Sequence, residues 1–168
     1  MGFLVLFAVA VLACAVPDFA PAFLGISAHP PDLFVAVAAY LGLRGRGAGA
    51  LAGAVVLGCL QDFTSLDPLG THAFVLASVT FVYLRPERTQ APTGWSRALL
   101  VGFACVLAHG ILVLRLLVVS PDGPGFASIK GAFSTALWTA LASWPLLALL
   151  DRTRLLEDLT GARRGRPA

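Results

Sequence analysis

The chain has 168 residues, of which 58% are apolar and 12% charged, with a formal net charge of +3 and a mean hydropathy of +0.84. Soluble domains carry about 25% charged residues, so this chain has too little polar surface to coat a water-soluble fold. Composition excludes a disordered chain and a disulfide-rich secreted scaffold, and it points to lipid as the solvent. At about 20 residues per crossing the length allows one bundle of about six helices and no separate soluble domain.

Six apolar segments lie between the charges and prolines: residues 2–16, 33–43, 47–60, 69–84, 98–119 and 132–150. Around Ala13-Cys14 the first loosely resembles a signal cleavage site, but no Lys or Arg precedes it. A signal peptide needs that basic n-region, so the segment is read as a retained crossing. The second and third hold 11 and 14 residues, short of the ~17–25 a crossing needs. They must borrow flanking residues, sit in a thinned bilayer or enter only partway. The last two are long enough to span.

The third segment carries Gly45, Gly49 and Gly53 at i, i+4, i+8, with Ala50, Ala54 and Gly58 on an adjoining stripe. Small residues at this spacing let two helix backbones approach closely in lipid, where van der Waals contact drives association. The stripe is read first as a contact within the chain, with dimerisation as the alternative. In the fifth segment His109 falls near the middle and Arg115 about one turn from the far end. A charge at depth costs about 2.5–3.5 kcal/mol unless it snorkels or pairs, and Arg115 has Asp62, Asp32 and Asp67 as candidate partners. His109 is read as a hydrogen-bonded packing residue. Cys14, Cys59 and Cys105 each sit in an apolar run, where a thiol behaves as a small hydrophobe. No Cys or His spacing suggests a metal, and no cofactor is expected.

The charges between segments sort by sign. Arg44 and Arg46, then Arg85, Arg88 and Arg97, then Arg152, Arg154, Arg163, Arg164 and Arg166 occupy alternate connections. The intervening ones hold Asp18, Asp32, Asp62, Asp67 and Asp122, with Lys130 as their one base. Ten basic residues against one, in register with six crossings, place both termini in the cytoplasm by the positive-inside rule. The domain organisation that follows is a six-helix transmembrane domain over residues 1–151 and a basic cytoplasmic tail over 152–168. Trp95 and Trp144 are expected at or near the inner interface and Trp138 deeper.

The outer polar inventory is Asp32, Asp62, Thr64, Ser65, Asp67 and His72. It contains no nucleophile elbow, no zinc-protease motif and no phosphate-binding loop, so catalysis is not expected. Nor is nucleic-acid binding, because the short Arg163, Arg164, Arg166 tail suits anionic lipid equally well.

Residues 30 to 84 carry a recognisable order: Pro30-Pro31-Asp32-Leu33, then Tyr40 and Arg44, then glycines at 49, 53 and 58, then Asp62-Phe63-Thr64-Ser65-Leu66-Asp67-Pro68-Leu69-Gly70-Thr71-His72-Ala73. This pattern resembles the rod shape-determining protein MreD family: prolines before the second helix, a basic turn, a glycine-striped helix ending in Asp, and a polar turn closing on Leu-Gly. Asp67 before Pro68 departs from the small residue expected in that turn. Read physically, Asp32 suits the first turn of a helix. Asp62 can accept backbone donors, Pro68 presets its own φ and Gly70 tolerates conformations others avoid, so Asp62 to Gly70 forms a compact outer turn.

The resemblance implies a non-enzymatic membrane subunit of the elongation machinery of a rod-shaped bacterium. Its implied partners are the bitopic protein MreC and, through it, the actin-like MreB filament and the glycosyltransferase and transpeptidase of wall synthesis. The family is also similar to the six-helix substrate-binding subunits of energy-coupling-factor vitamin transporters. That likeness implies the fold and supplies the alternative function, small-molecule capture.

Overall fold

The computed structural model describes residues 31–45, 47–65, 68–84, 95–119 and 126–153. The first apolar segment, residues 2–16, and the tail beyond residue 153 lie outside the described residues, as does Asp67. Five helices follow in order: α1 (Leu33–Arg44), α2 (Gly47–Thr64), α3 (Thr71–Tyr83), α4 (Trp95–Val119) and α5 (Phe126–Thr153). They match the second to sixth predicted segments. Two of them, Gly47–Thr64 and Trp95–Arg115, are long and apolar enough to cross a membrane.

α1 begins where the sequence says it should. Asp32 is extended, with φ −87° and ψ 91°, and its carboxylate accepts the Val35 N–H, at 3.1 Å. That bond satisfies one of the backbone donors a helix start leaves open. The helix ends at Gly45, whose N–H donates to the Leu41 carbonyl. Every residue from Leu33 to Leu43 is buried. A helix apolar on all sides belongs in the middle of a bundle, and α1 does pack against α2, α3, α4 and α5. At 12 residues it is about 18 Å long, well short of a ~30 Å hydrocarbon core. Its shortness is accommodated because both of its ends meet protein groups, as described below.

The partners fix the direction of each helix. α1 and α2 run antiparallel, as do α2 and α3, whose hairpin brings Gly58 against Ala73. Thr80 of α3 donates its hydroxyl to the Ala38 carbonyl of α1 at 3.0 Å. Tyr83 at the end of α3 donates to the Leu100 carbonyl of α4 at 2.7 Å. Successive described helices therefore alternate in direction.

Close backbone approach holds these contacts. A Cβ at Gly58 would lie 2.2 Å from the Ala73 Cα, and one at Gly42 would lie 2.7 Å from the Thr80 carbonyl oxygen. Neither site has room for a methyl group, so α3 lies against the bare backbones of both α1 and α2.

The small-residue stripe expected on the third segment is shifted by one position. Gly45 lies in the turn before α2, not on it, and Gly49 is exposed. The buried face is Ala50, Gly53, Ala54, Leu57, Gly58 and Asp62. Of the four glycines only Gly49 is exposed: a Cβ at Gly45 would lie 2.2 Å from the Leu41 carbonyl oxygen and 2.5 Å from the Ala50 Cβ, as close as the Gly58 contact, while Gly53 meets the Leu41 side chain at 3.3 Å. The helix also runs four residues past its predicted end, through Thr64. That extension turns Asp62 from a loop residue into the last buried position of α2.

The outside of the bundle is apolar. Phe63, Phe74, Phe81, Phe103 and Phe133 are all more than 60% exposed. Such a surface would be an aggregation hazard in water and is compatible with lipid.

Candidate functional site

Polar side chains gather at the two ends of α1. At the Asp32 end, the hairpin between α2 and α3 is built around the Asp62 carboxylate. One oxygen accepts the Gly70 N–H at 2.8 Å and the Ala73 N–H at 3.4 Å. The other accepts the His72 N–H at 2.9 Å and meets His72 Nδ1 at 2.9 Å. Asp62 therefore caps the first turn of α3 from the neighbouring helix. The backbone explains why a remote cap is needed, because the local N-cap is Gly70, which has no side chain to offer. Gly70 occupies the left-handed region at φ +92°, which a side chain would disfavour. Pro68 is exposed and its carbonyl accepts the Thr71 hydroxyl at 2.7 Å. Asp62 is 2% exposed and His72 9%.

The same end carries a second chain of contacts. The Asp32 N–H donates to the Thr139 hydroxyl of α5 at 2.8 Å, and that hydroxyl donates in turn to the Thr135 carbonyl at 2.7 Å. Cys105 of α4 lies 3.7 Å from Thr139 Oγ1 and 3.5 Å from His109 Nδ1. His109 Nδ1 also lies 2.9 Å from the Cys105 carbonyl oxygen.

These distances decide what chemistry the groups can do. A carbonyl and a carboxylate only accept, so Nδ1 of His109 and Nδ1 of His72 both carry their proton. His109 therefore cannot use Nδ1 as a base toward Cys105, and His72 is oriented by Asp62 as a donor. In both pairs the ring is held as a hydrogen-bond donor, to the Cys105 carbonyl for His109 and to the Asp62 carboxylate for His72.

At the other end of α1, Asp151 near the end of α5 collects three donors. The Tyr40 hydroxyl donates to its Oδ1 at 2.8 Å, Arg44 Nη2 lies 3.1 Å from the same oxygen, and Arg97 Nη1 of α4 pairs with Oδ2. Tyr40 and Arg97 are buried. The Trp95 ring at the start of α4 packs on the Trp144 ring of α5 with centroids 5.2 Å apart.

The site residues expected from the sequence thus divide. Asp32, Asp62, Pro68, Gly70 and Gly58 all take part in the Asp32 end of the bundle. Gly45 and Gly53 pack between α1 and α2 instead, against Leu41 and, for Gly45, Ala50, and Gly49 is exposed. Asp62 and Arg115 were expected as a candidate ion pair, but the Asp62 oxygens accept from Gly70, His72 and Ala73 within its own hairpin. Arg115 is half-buried on α4 and has an interaction of its own. Sequence reasoning missed the Asp151 cluster. Its signal was present: Asp151 is an acid closing the last apolar segment on the basic side, and Tyr40 and Arg44 are one helical turn apart. Among the described residues no group of three His, Cys, Asp or Glu side chains could hold a metal ion.

Residues 1–150, which include both ends of α1 and all the hairpin residues above, match the profile of the rod shape-determining protein MreD. The chain belongs to the MreD family. The match extends well beyond the 30–84 region that carried the resemblance in sequence. Membership assigns this MreD-family chain to rod-shape determination, and its apolar helices are those of a membrane protein. No curated protein and no solved structure matches it.

Proposed function

We propose that this chain is a non-enzymatic scaffold subunit of the bacterial cell-elongation complex. In this reading it sits in the cytoplasmic membrane through six helices over residues 1–151, with both termini and the basic 152–168 tail in the cytoplasm. It binds an MreC-like bitopic protein and so couples the MreB cytoskeleton to the glycosyltransferase and transpeptidase of peptidoglycan synthesis. The observation that carries the reading is the family match over residues 1–150.

Two features of the molecule support it. The conspicuous polar groups at the Asp32 end bind one another and backbone amides, as a rigid binding module requires. The exterior is apolar and aromatic, which suits lipid and the single transmembrane helix of a bitopic partner. The orientation rests on the ten-to-one distribution of basic residues.

The test is depletion of the protein in its rod-shaped host, with purification of the tagged chain from membranes in mild detergent. Loss of rod shape, restored by the wild-type chain, together with recovery of an MreC-like protein, is the expected result. Normal shape on depletion would refute the reading, and failed uptake of a vitamin in its place would assign the chain to transport.

A further inference from the structure

Among the described residues, the Asp151 end of the bundle holds more cationic donors than the one carboxylate there can accept. Arg44 and Arg97 share one carboxylate, and the Tyr40 hydroxyl also donates into it. Two guanidinium groups offer five N–H donors each, so one carboxylate already accepting from a hydroxyl leaves most of them over. The described Arg44, Arg97 and Asp151 side chains together carry a formal charge of +1. The two arginines are not equivalent: the Arg97 side chain is 10% exposed and the Arg44 side chain 39%. Arg97 is fixed by burial, whereas Arg44 presents the remaining donors outward.

The surroundings indicate what would take them. Trp95 begins α4 two residues before Arg97, and its ring packs on Trp144 of α5. Both rings are exposed, Trp95 by 69% and Trp144 by 52%. Exposed tryptophans on an apolar bundle settle at the headgroup level of a bilayer. An acceptor-only anion at that level, carried on acyl chains that can lie against the indoles, is a lipid phosphate. Guanidinium groups bind phosphate through paired N–H donors.

We propose that the Arg44, Arg97, Asp151 cluster, near the end of α4 that Trp95 opens, is a binding site for the phosphate of an anionic phospholipid. This inference rests on the membrane placement proposed above. Asp151 holds Arg97 in place and limits the site to one net positive charge, while Arg44 makes the accessible contact. A zwitterionic lipid offers the same phosphate with a compensating cation, so it binds more weakly.

The full chain, with Trp138→Phe so that the exposed indoles dominate the emission, is reconstituted in phosphatidylcholine vesicles and titrated with phosphatidylglycerol brominated on its acyl chains. Quenching is expected at several-fold lower mole fraction than with brominated phosphatidylcholine. Arg44→Gln should lower that preference about fivefold, the worth of one basic residue near an anionic surface. Asp151→Asn should raise the preference, because it removes the competing carboxylate, and it gives a second reading with the opposite sign. Equal quenching by the two brominated lipids, or a preference unchanged in both variants, overturns the site. Displacement of brominated phosphatidylglycerol by millimolar inorganic phosphate would show a free-anion site and overturn the lipid assignment. Failure of the chain to float with vesicles would instead overturn the membrane placement, and this inference with it.

Discussion

Asp62 and His72 are joined twice: a single carboxylate oxygen of Asp62 lies 2.9 Å from both the backbone nitrogen and the ring nitrogen of His72. The pair closes the α2–α3 hairpin at one end, while Gly58 lies against Ala73 within the same interface. Polar capping and backbone contact thus hold the same two helices.

Removing the Asp62 carboxylate should therefore unfasten α3. Asp62→Ala leaves three backbone N–H groups and the His72 ring without their acceptor. A hydrogen bond to a charged group contributes about 1.5–3 kcal/mol, so a loss of at least about 3 kcal/mol is expected. Thermal unfolding of the purified protein in detergent should show a much lower midpoint. His72→Phe keeps the backbone contacts and should cost clearly less; equal losses in the two variants would contradict the capping role.

Glycine substitutions should rank by contact and not by position in the i, i+4 repeat. Gly58→Ala places a methyl group against the Ala73 backbone and should destabilise by about 1–3 kcal/mol or more, the usual cost of overpacking. Gly49→Ala, on an exposed face, should stay within about 0.5 kcal/mol. Protein levels in membranes and unfolding midpoints check the ranking, which would fail if Gly49→Ala were the more damaging change.

Arg97 and Asp151 should be energetically coupled. Each single replacement, Arg97→Gln or Asp151→Asn, leaves a largely buried partner without its counterpart. The double variant should be milder than the sum, with an interaction energy in the range of about 0.5–3 kcal/mol found for paired groups. Chemical or thermal unfolding of the four proteins gives the cycle, and strict additivity would remove the pair.

Topology offers a separate check. A reporter active only outside the cytoplasm should stay silent when fused after Ala168 and become active when inserted between Pro68 and Leu69. The opposite pattern would invert the orientation derived from the basic residues.

The sequence legibly placed the second to sixth apolar segments, because hydrophobic runs bounded by charges and prolines report burial directly. It also identified Asp32 as a helix-start residue, which depends on local backbone chemistry, whereas the stretch read as a turn from Asp62 is helical through Thr64. Which glycines make contacts was not legible. Gly45, Gly49 and Gly53 and the adjoining Ala50, Ala54 and Gly58 are alike in being small and spaced by four, and only the direction from which α1 and α3 approach leaves Gly49 exposed while the others pack. Asp62 shows the same limit: its remote capping depends on α2 running on to Thr64, four residues beyond its apolar run.

By itself, then, the sequence determined a helical membrane-compatible chain and the order of its elements, which follow from composition, periodicity and near-neighbour chemistry. Tertiary structure decided the partners of the charges. Asp151 lies more than one hundred residues from Tyr40 and Arg44 along the chain, as Asp32 does from Thr139. Pairings over such separations are fixed by which helices pack around the short central α1, because its ends leave polar groups that only its neighbours can reach.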